Sequence, residues 1–409
     1  MINVAIMGHG VVGSGVAEIL INHPERIAQK AKNSINVKYI LDLRDFDALP
    51  YSDKFIKDFN VILNDPEIEI VVEVMGGCTF AYEYVKACLL AGKSVCTSNK
   101  ELVAEKGAEL VKIASEKNVN FLFEASVGGG IPVLRPMSQC LTANEILEIT
   151  GILNGTTNYI LTKMIEDNLS FETALSNAQK LGYAEKDPTA DIEGFDACRK
   201  ICILASLGFG KHVYPKDVAT KGITDVTLED VEYANQLGYV IKLIGKARKL
   251  DNGKITASVA PSLVSRSNIL SGVTDVFNAV MIRGDEVGDV MFYGRGAGKF
   301  PTASAVVGDV IDCAKHLSAR KYVFWEDADS NFVSDSSNDI AKLFVRCKTT
   351  NVKELVEKLV EIFGDISYIK NEATNEVVFI TENDIEQVLL NKINNLTNID
   401  NVKIFNVID

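Results

Sequence analysis

The residues best suited to chemistry lie between Gly182 and Lys200, where acids and bases are concentrated in a short stretch. Glycine and proline keep its first part irregular, and the residues from Asp196 onward favour a helix. Asp196 and Lys200 are four residues apart, so they share one face of that helix. A lysine that faces carboxylates can transfer a proton beside a substrate ammonium group that those carboxylates bind. The acids of this acidic stretch are Glu185, Asp187, Asp191, Glu193 and Asp196.

A second interpretation of the acidic stretch requires no function. Acids in a loop are often simply solvated, and an acid–lysine pair one helical turn apart is a common surface ion pair. Spacing alone favours this alternative. The case for a site therefore depends on what the rest of the chain provides.

A glycine-rich turn follows the first predicted strand. Residues 2–7 are mostly apolar and predict a short buried strand, and residues 14–20 predict a helix. Between them, Gly8, Gly10 and Gly13 form the pattern Gly-x-Gly-x-x-Gly. These glycines permit a tight turn, close approach of the backbone to a pyrophosphate, and close packing of helix on strand. The helix N-terminus adds N–H groups for the phosphates, so the pattern predicts a dinucleotide-binding domain.

The end of the second predicted strand bears on the choice of dinucleotide. The strand at 36–41 is followed by Asp42 and Arg44. An acid at this place usually binds the ribose 2′-hydroxyl of NAD, whereas an arginine suits the 2′-phosphate of NADP. Because both residues are present, the sequence leaves NAD and NADP open.

Two further strands end in residues that suit a cofactor site. The strand at 68–75 is closed by Gly76, and the strand at 94–97 leads to Lys100. Strands and helices alternate through this part of the chain, which predicts a doubly wound parallel sheet with ligands at the carboxyl edge. Lys100 is equally compatible with a site and with the exposed start of a helix.

The chain as a whole predicts an α/β protein of three domains. Residues 1–130 form the Rossmann domain, which is completed by about 300–320. Residues 131–325 form an α+β catalytic and dimerisation domain with a mixed or antiparallel sheet, in which 231–242 is predicted to be helical. Residues 340–409 follow the order β-α-β-β-α-β of a ferredoxin-like unit.

Composition excludes several classes of protein. The net charge of −13 argues against nucleic-acid binding, because no basic patch offsets it. No apolar run reaches about 18 residues, and the N-terminus has no secretion leader, so we expect no membrane contact. The eight cysteines show neither a pairing framework nor metal-binding clusters, which predicts reduced thiols in the cytoplasm.

Two glycine-rich loops are further candidates for ligand binding. In the loop from Glu124 to Pro132, backbone carbonyls can hold a hard cation, although a plain domain linker explains the composition equally simply. In the loop from Gly294 to Gly298, backbone can approach a ligand, and the alternative is an ordinary turn.

Several of these motifs resemble those of homoserine dehydrogenases. The segment 154–161, Asn-Gly-Thr-Thr-Asn-Tyr-Ile-Leu, is similar to a signature of that family, and so is the stretch from 178 to Lys200. The segments 8–13, 98–100 and 294–298 are similar to the family's cofactor-contacting loops. The tail resembles the regulatory ACT module of some bacterial members, although Lys-Thr-Thr-Asn at 348–351 replaces their usual Asp-Arg-Pro-Gly-like turn.

The resemblance implies a reaction and roles for the residues. It implies reversible hydride transfer between NAD(P)H and the C4 aldehyde of L-aspartate 4-semialdehyde, which yields L-homoserine in threonine, methionine and isoleucine biosynthesis. Lys200 would donate the proton and Asp196 would position it. Glu185 would bind the substrate ammonium, with Asp196 and Asp191 as further substrate ligands. Lys100 would lie near the nicotinamide as a second proton-transfer group.

The resemblance also implies binding residues and partners. The backbone at Glu124, Val127, Gly129 and Ile131 would hold a sodium ion. The expected assembly is a homodimer or homotetramer, and threonine is a candidate effector of the tail. We expect the substrate and nicotinamide to meet in a cleft between the first two domains. The expected cofactor contacts are Gly8, Gly10, Val11, Val12, Gly13, Arg44, Gly76, Lys100, Gly182 and Gly298.

Two other functions remain as alternatives. A semialdehyde dehydrogenase that acylates a cysteine would need a thiol paired with a histidine, and none of the four histidines lies near a cysteine in an evident motif. A non-catalytic dinucleotide sensor with an amino-acid-binding tail would have no use for a proton donor. Lys200 and Glu185 therefore argue against a sensor.

Overall fold

The computed structural model describes residues 1–318, 323–328, 331–364 and 366–409. The chain forms two compact units. The parts of the predicted three domains that fall at 319–322 and 365 lie outside the described residues, and the three-domain division itself stays a prediction. The first unit comprises Met1–Ile149, Arg199–Lys216 and Asn278–Phe332, and the second comprises Thr150–Cys198, Asp217–Phe277 and Val333–Asp409.

The helices and strands are numbered in chain order, and the two kinds of element alternate through the first half of the chain. The helices are α1 (Val11–Asn22), α2 (Pro24–Ala31), α3 (Phe59–Asn64), α4 (Thr79–Leu90), α5 (Lys100–Glu116), α6 (Leu134–Gln139), α7 (Gly155–Glu166), α8 (Phe171–Lys180), α9 (Thr189–Ile192), α10 (Phe195–Phe209), α11 (Leu228–Gln236), α12 (Lys299–Lys315), α13 (Val352–Phe363) and α14 (Glu386–Asn394). The strands are β1 (Ile2–Met7), β2 (Ile35–Leu41), β3 (Phe55–Ile56), β4 (Ile68–Glu73), β5 (Ser94–Thr97), β6 (Phe121–Leu122), β7 (Ile146–Ile152), β8 (Ala219–Thr220), β9 (Tyr239–Lys249), β10 (Ile255–Ser265), β11 (Phe277–Gly284), β12 (Gly288–Arg295), β13 (Val333–Ser334), β14 (Ile340–Ala341), β15 (Leu343–Thr349), β16 (Ser367–Asn371), β17 (Glu376–Ile380), β18 (Asp384–Ile385) and β19 (Ile399–Ile408). None of the helices in the described ranges is both long and apolar enough to cross a bilayer.

The first unit is built on a six-stranded parallel sheet. Its order is β3-β2-β1-β4-β5-β6, and every neighbouring pair runs parallel. The central strands β1 and β4 are almost continuously apolar because helices cover both faces of such a sheet. Val4, Ile6, Ile70 and Val72 have no exposed surface. The predicted doubly wound Rossmann sheet is thus confirmed.

Helix α12 packs against this sheet although it lies far along the chain. Its buried residues Ala303, Val306 and Val310 belong to the same core cluster as Val16 of α1. A Cβ on Gly15 would lie 2.9 Å from the Cβ of Ala303, so the two helices approach closely only because Gly15 has no side chain. The Gly8–Gly13 turn and the start of α12 therefore belong to one packed unit.

The second unit contains a mixed sheet, as predicted. The order of its six longer strands is β9-β10-β19-β15-β17-β16. Strands β9 and β10 pair antiparallel over their whole length, whereas β10 and β19 pair parallel. The mixture arises because β19 arrives from the C-terminal tail rather than from a hairpin.

The predicted helix at 231–242 is wrong in its last part. Helix α11 ends at Gln236, and Gly238 has a φ of +85°, a conformation that typically follows the last turn of a helix. Tyr239 already pairs with Ser265 at the start of β9. Pairing with the whole of β10 outweighs the local helical preference of these few residues.

The tail has the predicted order of elements, β15-α13-β16-β17-α14-β19. Within the tail its four strands follow the order β19-β15-β17-β16. Leu343, Leu355, Val377 and Leu389 contribute to a core cluster of its own. The sequence did not predict that β19 also pairs with β10, which joins the tail to the central sheet of the second unit.

Candidate active site

The Gly8–Gly13 turn has the geometry of a dinucleotide cradle. Gly8 adopts a φ of +98°, and a Cβ on Gly13 would overlap the carbonyl oxygen of Gly8. Gly10, by contrast, faces open space, since no atom lies within 4 Å of where its Cβ would be. Helix α1 begins at Val11 and continues with Val12, and no side chain caps it. These residues fit a pyrophosphate on the helix N-terminus.

Asp42 and Arg44 lie together at the end of β2, beside the glycine turn. Asp42 accepts hydrogen bonds from the backbone N–H of His9 at 2.8 Å and from the Arg44 side chain at 2.8 and 3.0 Å. The hydrogen bonds from Arg44 lower the pKa of the Asp42 carboxyl group. The acid is nearly buried, whereas 63% of the Arg44 side chain is exposed. Both groups that distinguish NAD from NADP are therefore present and paired with each other.

The ends of β4 and β5 are joined by a buried carboxylate. Glu73 accepts hydrogen bonds from the backbone of Gly76 and from the hydroxyl of Thr97. Asn99 caps α5, whose first residue is Lys100. The predicted residues Gly76 and Lys100 are thus connected. Of the connecting residues, the sequence singled out Asn99, in the segment 98–100, but not Glu73 or Thr97. The signal for Glu73 was that it is one of two glutamates in a strand that is otherwise apolar.

The predicted cation loop is organised by Glu124, in a way that the sequence did not show. The Glu124 carboxylate accepts the backbone N–H groups of Val133, Leu134 and Arg135 at 2.6–2.9 Å, so it caps α6. Its own N–H donates to Asp309, whose pKa is raised to about 7 by burial and by the Glu124 charge. Because the Glu124 carboxylate is committed to these amides, any cation would have to be held by carbonyl oxygens.

The other residues of the cation loop pack against the second glycine loop. Gly129 has a φ of +54°, and a Cβ there would overlap the carbonyl of Gly296. Ile131 lies against Gly294, and Gly298, with a φ of +127°, is the N-cap of α12. The structure therefore brings Gly129 and Ile131 of the predicted cation loop next to the 294–298 loop, which contains the predicted cofactor residue Gly298. Val127, in the same cation loop, is fully buried. Among the described residues, no group of three or more His, Cys, Asp or Glu side chains is arranged to hold a metal.

Two of the predicted substrate ligands meet at one amide in the second unit. Asn154 is the N-cap of α7, and its Oδ1 accepts the N–H of Thr157 at 2.8 Å. Its Nδ2 donates to Asp191 Oδ1 at 2.7 Å and to Asp196 Oδ2 at 2.8 Å. Asn154 and Asp196 are buried, and Asp191 is half-buried. Sequence analysis placed Asn154 in a motif but did not identify it as the link between the two acids.

Glu185 and Gly182 lie in the exposed loop that precedes these acids. Gly182 has a φ of +75° in the turn after α8. The backbone carbonyl of Glu185 accepts a hydrogen bond from Gln179, and that of Tyr183 accepts one from Thr156 of α7 at 2.7 Å. The loop is thus attached to the N-terminal turn of α7, while the Glu185 side chain faces solvent.

Helix α10 carries both Asp196 and Lys200, one turn apart. Only 3% of Asp196 and 7% of Lys200 is exposed. A surface ion pair would leave both side chains largely solvated, so burial contradicts the second interpretation for Asp196 and Lys200. Glu185 and Asp187 of the same stretch are exposed, as the second interpretation expects. Burying ionisable side chains is costly and is common at functional sites, so Asp196 and Lys200 are candidates for catalytic residues.

Comparisons with known proteins give a consistent result. A family model described as "Homoserine dehydrogenase, NAD binding domain" matches residues 8–124, and one described as "Homoserine dehydrogenase" matches residues 132–311. A homoserine dehydrogenase of Bacillus subtilis is 38% identical over 419 residues, which cover 98% of this chain and 96% of that protein.

The solved structures that are similar to this chain include further homoserine dehydrogenases. The crystal structure of a homoserine dehydrogenase from Thiobacillus denitrificans matches with a TM-score of 0.92 and 35% identity, covering 100% of this chain and 98% of that one. A hyperthermophilic archaeal homoserine dehydrogenase in complex with NADPH matches with a TM-score of 0.64 and 29% identity, covering 76% of this chain and 97% of that one. The similarity thus extends from the dinucleotide turn to the tail.

Proposed function

The chain belongs to the homoserine dehydrogenase family of NAD(P)-dependent oxidoreductases, and we propose that Lys200, Asp196, Asp191, Glu185 and Lys100 carry its reaction. The observation that supports this most strongly is the buried Asp196, which shares α10 with the buried Lys200 and is bound by Asn154 together with Asp191. The sensor alternative is not favoured, because the relatives that match are dehydrogenases.

The proposed chemistry is the interconversion of L-aspartate 4-semialdehyde and L-homoserine. Reduction of the aldehyde requires a proton at its oxygen as the carbon accepts a hydride. NAD(P)H, when bound, would supply that hydride. Lys200 donates the proton from its ammonium group, and in the reverse direction it removes the proton from the homoserine hydroxyl as a neutral amine. Asp196 positions the lysine and stabilises its charged form.

The substrate's own charges explain why so many acids are needed. An α-amino acid carries an ammonium group, and Glu185 and Asp191 provide carboxylates of the opposite charge. The loop of Glu185 is attached to α7 by Thr156, and Asp191 is attached to the same helix by Asn154. In this proposal, Lys100 at the start of α5 is a second proton-transfer group near the nicotinamide.

For the dinucleotide, the geometry of the Gly8–Gly13 turn supports part of the proposed ligand set, and the other members follow from the resemblance. Residues 8–13 provide a tight turn, an open backbone and an uncapped helix N-terminus. The archaeal relative was solved with NADPH, which makes NADP a candidate, and Arg44 would then bind its 2′-phosphate. The proposed set is Gly8, Gly10, Val11, Val12, Gly13, Arg44, Gly76, Lys100, Gly182 and Gly298.

Four further parts of the proposal depend on the resemblance. A sodium ion would be held by carbonyl oxygens at Glu124, Val127, Gly129 and Ile131, which suits an oxygen-seeking cation better than a transition metal. The ACT-like tail at 340–409 would bind an amino-acid effector such as threonine. The enzyme would act as a homodimer or homotetramer, and it would serve threonine, methionine and isoleucine synthesis in the cytoplasm.

Steady-state kinetics test the proposed function. Homoserine oxidation should be measured with NAD⁺ and with NADP⁺, with and without threonine, for the wild type, Lys200→Ala and Lys180→Ala. Lys180 is an exposed lysine at the end of α8 and serves as the control. We expect Lys200→Ala to lose about 100-fold in kcat with NADPH binding retained. A wild type without homoserine-dependent reduction of either dinucleotide would refute the proposal.

A further inference from the structure

The side chain of Glu73 is a buried charge that the proposed mechanism does not use. It is the last residue of β4 and has no exposed surface. An ionised carboxylate is costly to bury unless hydrogen-bond donors replace the lost water. The neighbouring Glu69, four residues earlier on the same strand, is only half-buried. The partners of Glu73 therefore indicate what the burial achieves.

Both carboxylate oxygens of Glu73 are bound, and they contact two different loops. Oε1 accepts the backbone N–H groups of Met75 at 2.8 Å and of Gly76 at 3.3 Å, in the loop that follows β4. Oε2 accepts the hydroxyl of Thr97 at 2.6 Å, at the end of β5. All three partners are donors, so they favour the ionised form, whereas burial raises the pKa of the Glu73 carboxyl group.

The hydrogen bonds continue from Thr97 to the start of α5 and back to the first loop. Thr97 Oγ1 accepts the N–H of Asn99 at 2.9 Å, and Asn99 Nδ2 donates to the carbonyl of Gly77 at 2.6 Å. Asn99 Oδ1 caps α5 by accepting the N–H of Leu102 at 3.1 Å. The result is a closed network of Glu73, Thr97, Asn99 and the 75–77 loop.

Met75 of this loop packs against Gly8, whereas hydrogen bonds rather than packing define the conformation of Gly76 and Gly77. Gly76 and Gly77 have φ values of +80° and +70°, and no atom lies within 4 Å of where either Cβ would be. Glycines in open space have many accessible conformations. The hydrogen bond that Gly76 donates to Glu73, and the one that Asn99 donates to Gly77, select one of these conformations.

We propose that Glu73 is a positioning residue that fixes the 75–77 loop and Lys100 relative to each other. The loop is part of the proposed dinucleotide site, and Lys100 is the residue that follows the network member Asn99. The inference rests on the proposed function, because it assumes that the 75–77 loop and Lys100 both contact the nicotinamide end of the cofactor. Small displacements of such groups reduce turnover more than they reduce binding.

Substitutions at Glu73 and at Thr97 test the network, and a substitution at Glu69 is the control. Glu73→Gln keeps an oxygen for the backbone N–H groups of the loop but removes the charge and replaces the acceptor that faces Thr97. Thr97→Val removes the hydroxyl at nearly constant shape, and Thr97→Ser restores it. Glu69→Gln is the matched control, since it makes the same chemical change on the same strand outside the network. NADPH affinity by fluorescence titration, kcat and KM for homoserine, and the unfolding midpoint are measured for each.

We expect Glu73→Gln and Thr97→Val each to lower kcat about tenfold, with the KM for homoserine changed less than about threefold. NADPH should bind at least about threefold more weakly to both variants, while Thr97→Ser and Glu69→Gln stay within about twofold of the wild type. The double variant Glu73→Gln/Thr97→Val should be no worse than the poorer single variant, because both break one network.

Two results would overturn the inference. One is wild-type kcat and NADPH affinity in both Glu73→Gln and Thr97→Val, and the other is a double variant whose losses multiply. If Glu73→Gln does not fold, Thr97→Val against Thr97→Ser decides alone. A wild type that binds NADPH but does not oxidise homoserine would refute the proposed function, whereas the affinity measurements would still judge the network.

Discussion

Asn154 offers a test of how the substrate acids are held. Its amide nitrogen donates to Asp191 and Asp196, while its oxygen caps α7. Serine is about as good an N-cap as asparagine, so Asn154→Ser keeps the cap but removes both bonds to the acids. A hydrogen bond to a charged group contributes roughly 1.5–3 kcal/mol, and the bond to the half-buried Asp191 lies at or below the lower end. We therefore expect Asn154→Ser to lose about 2–4 kcal/mol of unfolding free energy.

The same substitution should affect substrate binding. Without Asn154, the two carboxylates are free to move apart, and we expect the KM for homoserine to rise about tenfold, which corresponds to roughly 1.4 kcal/mol. NADPH affinity should be unchanged. Asn154→Asp, also a good cap, should raise the KM further because it adds a third carboxylate to the pair.

Urea unfolding and steady-state kinetics on both Asn154 variants provide the measurement. The control is Asn351→Ser, because Asn351 is likewise an N-cap, of α13, and its amide nitrogen donates to the partly exposed Glu354. Asn351→Ser should change stability by less than about 1 kcal/mol. The reasoning fails if Asn154→Ser matches this control in stability and keeps the wild-type KM.

Three further predictions concern other parts of the molecule. Gly13→Ala should abolish NADPH binding measured by fluorescence, because the added Cβ would overlap the backbone of the glycine turn; retained affinity would contradict the cradle geometry. Arg346→Ala should cost about 3–5 kcal/mol in urea unfolding, because it removes the shared partner of two buried carboxylates, Glu376 and Asp230, of which Asp230 keeps Lys403. Arg283→Ala, at an exposed pair, should cost less than about 1 kcal/mol, and equal costs would refute the distinction. Burial lowers the pKa of Lys242 from 10.5 in the unfolded chain to about 8 in the folded protein. Between pH 8 and pH 10.5 the unfolded chain therefore binds more protons than the folded protein. As the pH rises through this range, the destabilising effect of Lys242 on the folded state decreases. The free energy of unfolding of the wild type relative to Lys242→Met should therefore rise by up to roughly 3 kcal/mol from pH 8 to pH 10.5, and a flat difference would show that Lys242 is not the cause.

The parts of the fold that follow from local patterns were predictable. Apolar strands, glycine turns and alternating helices indicated the parallel sheet of the first unit, and β-α-β-β-α-β indicated the tail. The pairing of β19 with β10 was not predictable, because it joins residues far apart in the chain and leaves no local signal. The end of α11 was missed because one glycine and a long strand partner outweighed a helical preference.

In the candidate site, too, some residues could be predicted from the sequence and others could not. The acids and lysines that could take part in catalysis were recognisable by residue type and spacing. Residues that hold others in place were not recognisable, because asparagine, threonine and a glutamate within a strand occur in many ordinary structural roles. Asn154 and Glu73 became identifiable only when their partners, from distant segments, were seen within hydrogen-bonding distance.

Lys200 as the proton donor is the central claim, and chemical rescue tests it most directly. Replacing the buried Lys200 by alanine leaves space for a small amine. We expect kcat of Lys200→Ala to fall about 100-fold and to be partly restored by ethylamine, in proportion to the concentration of amine added. Turnover of Lys200→Ala equal to that of the wild type, without added amine, would contradict the account.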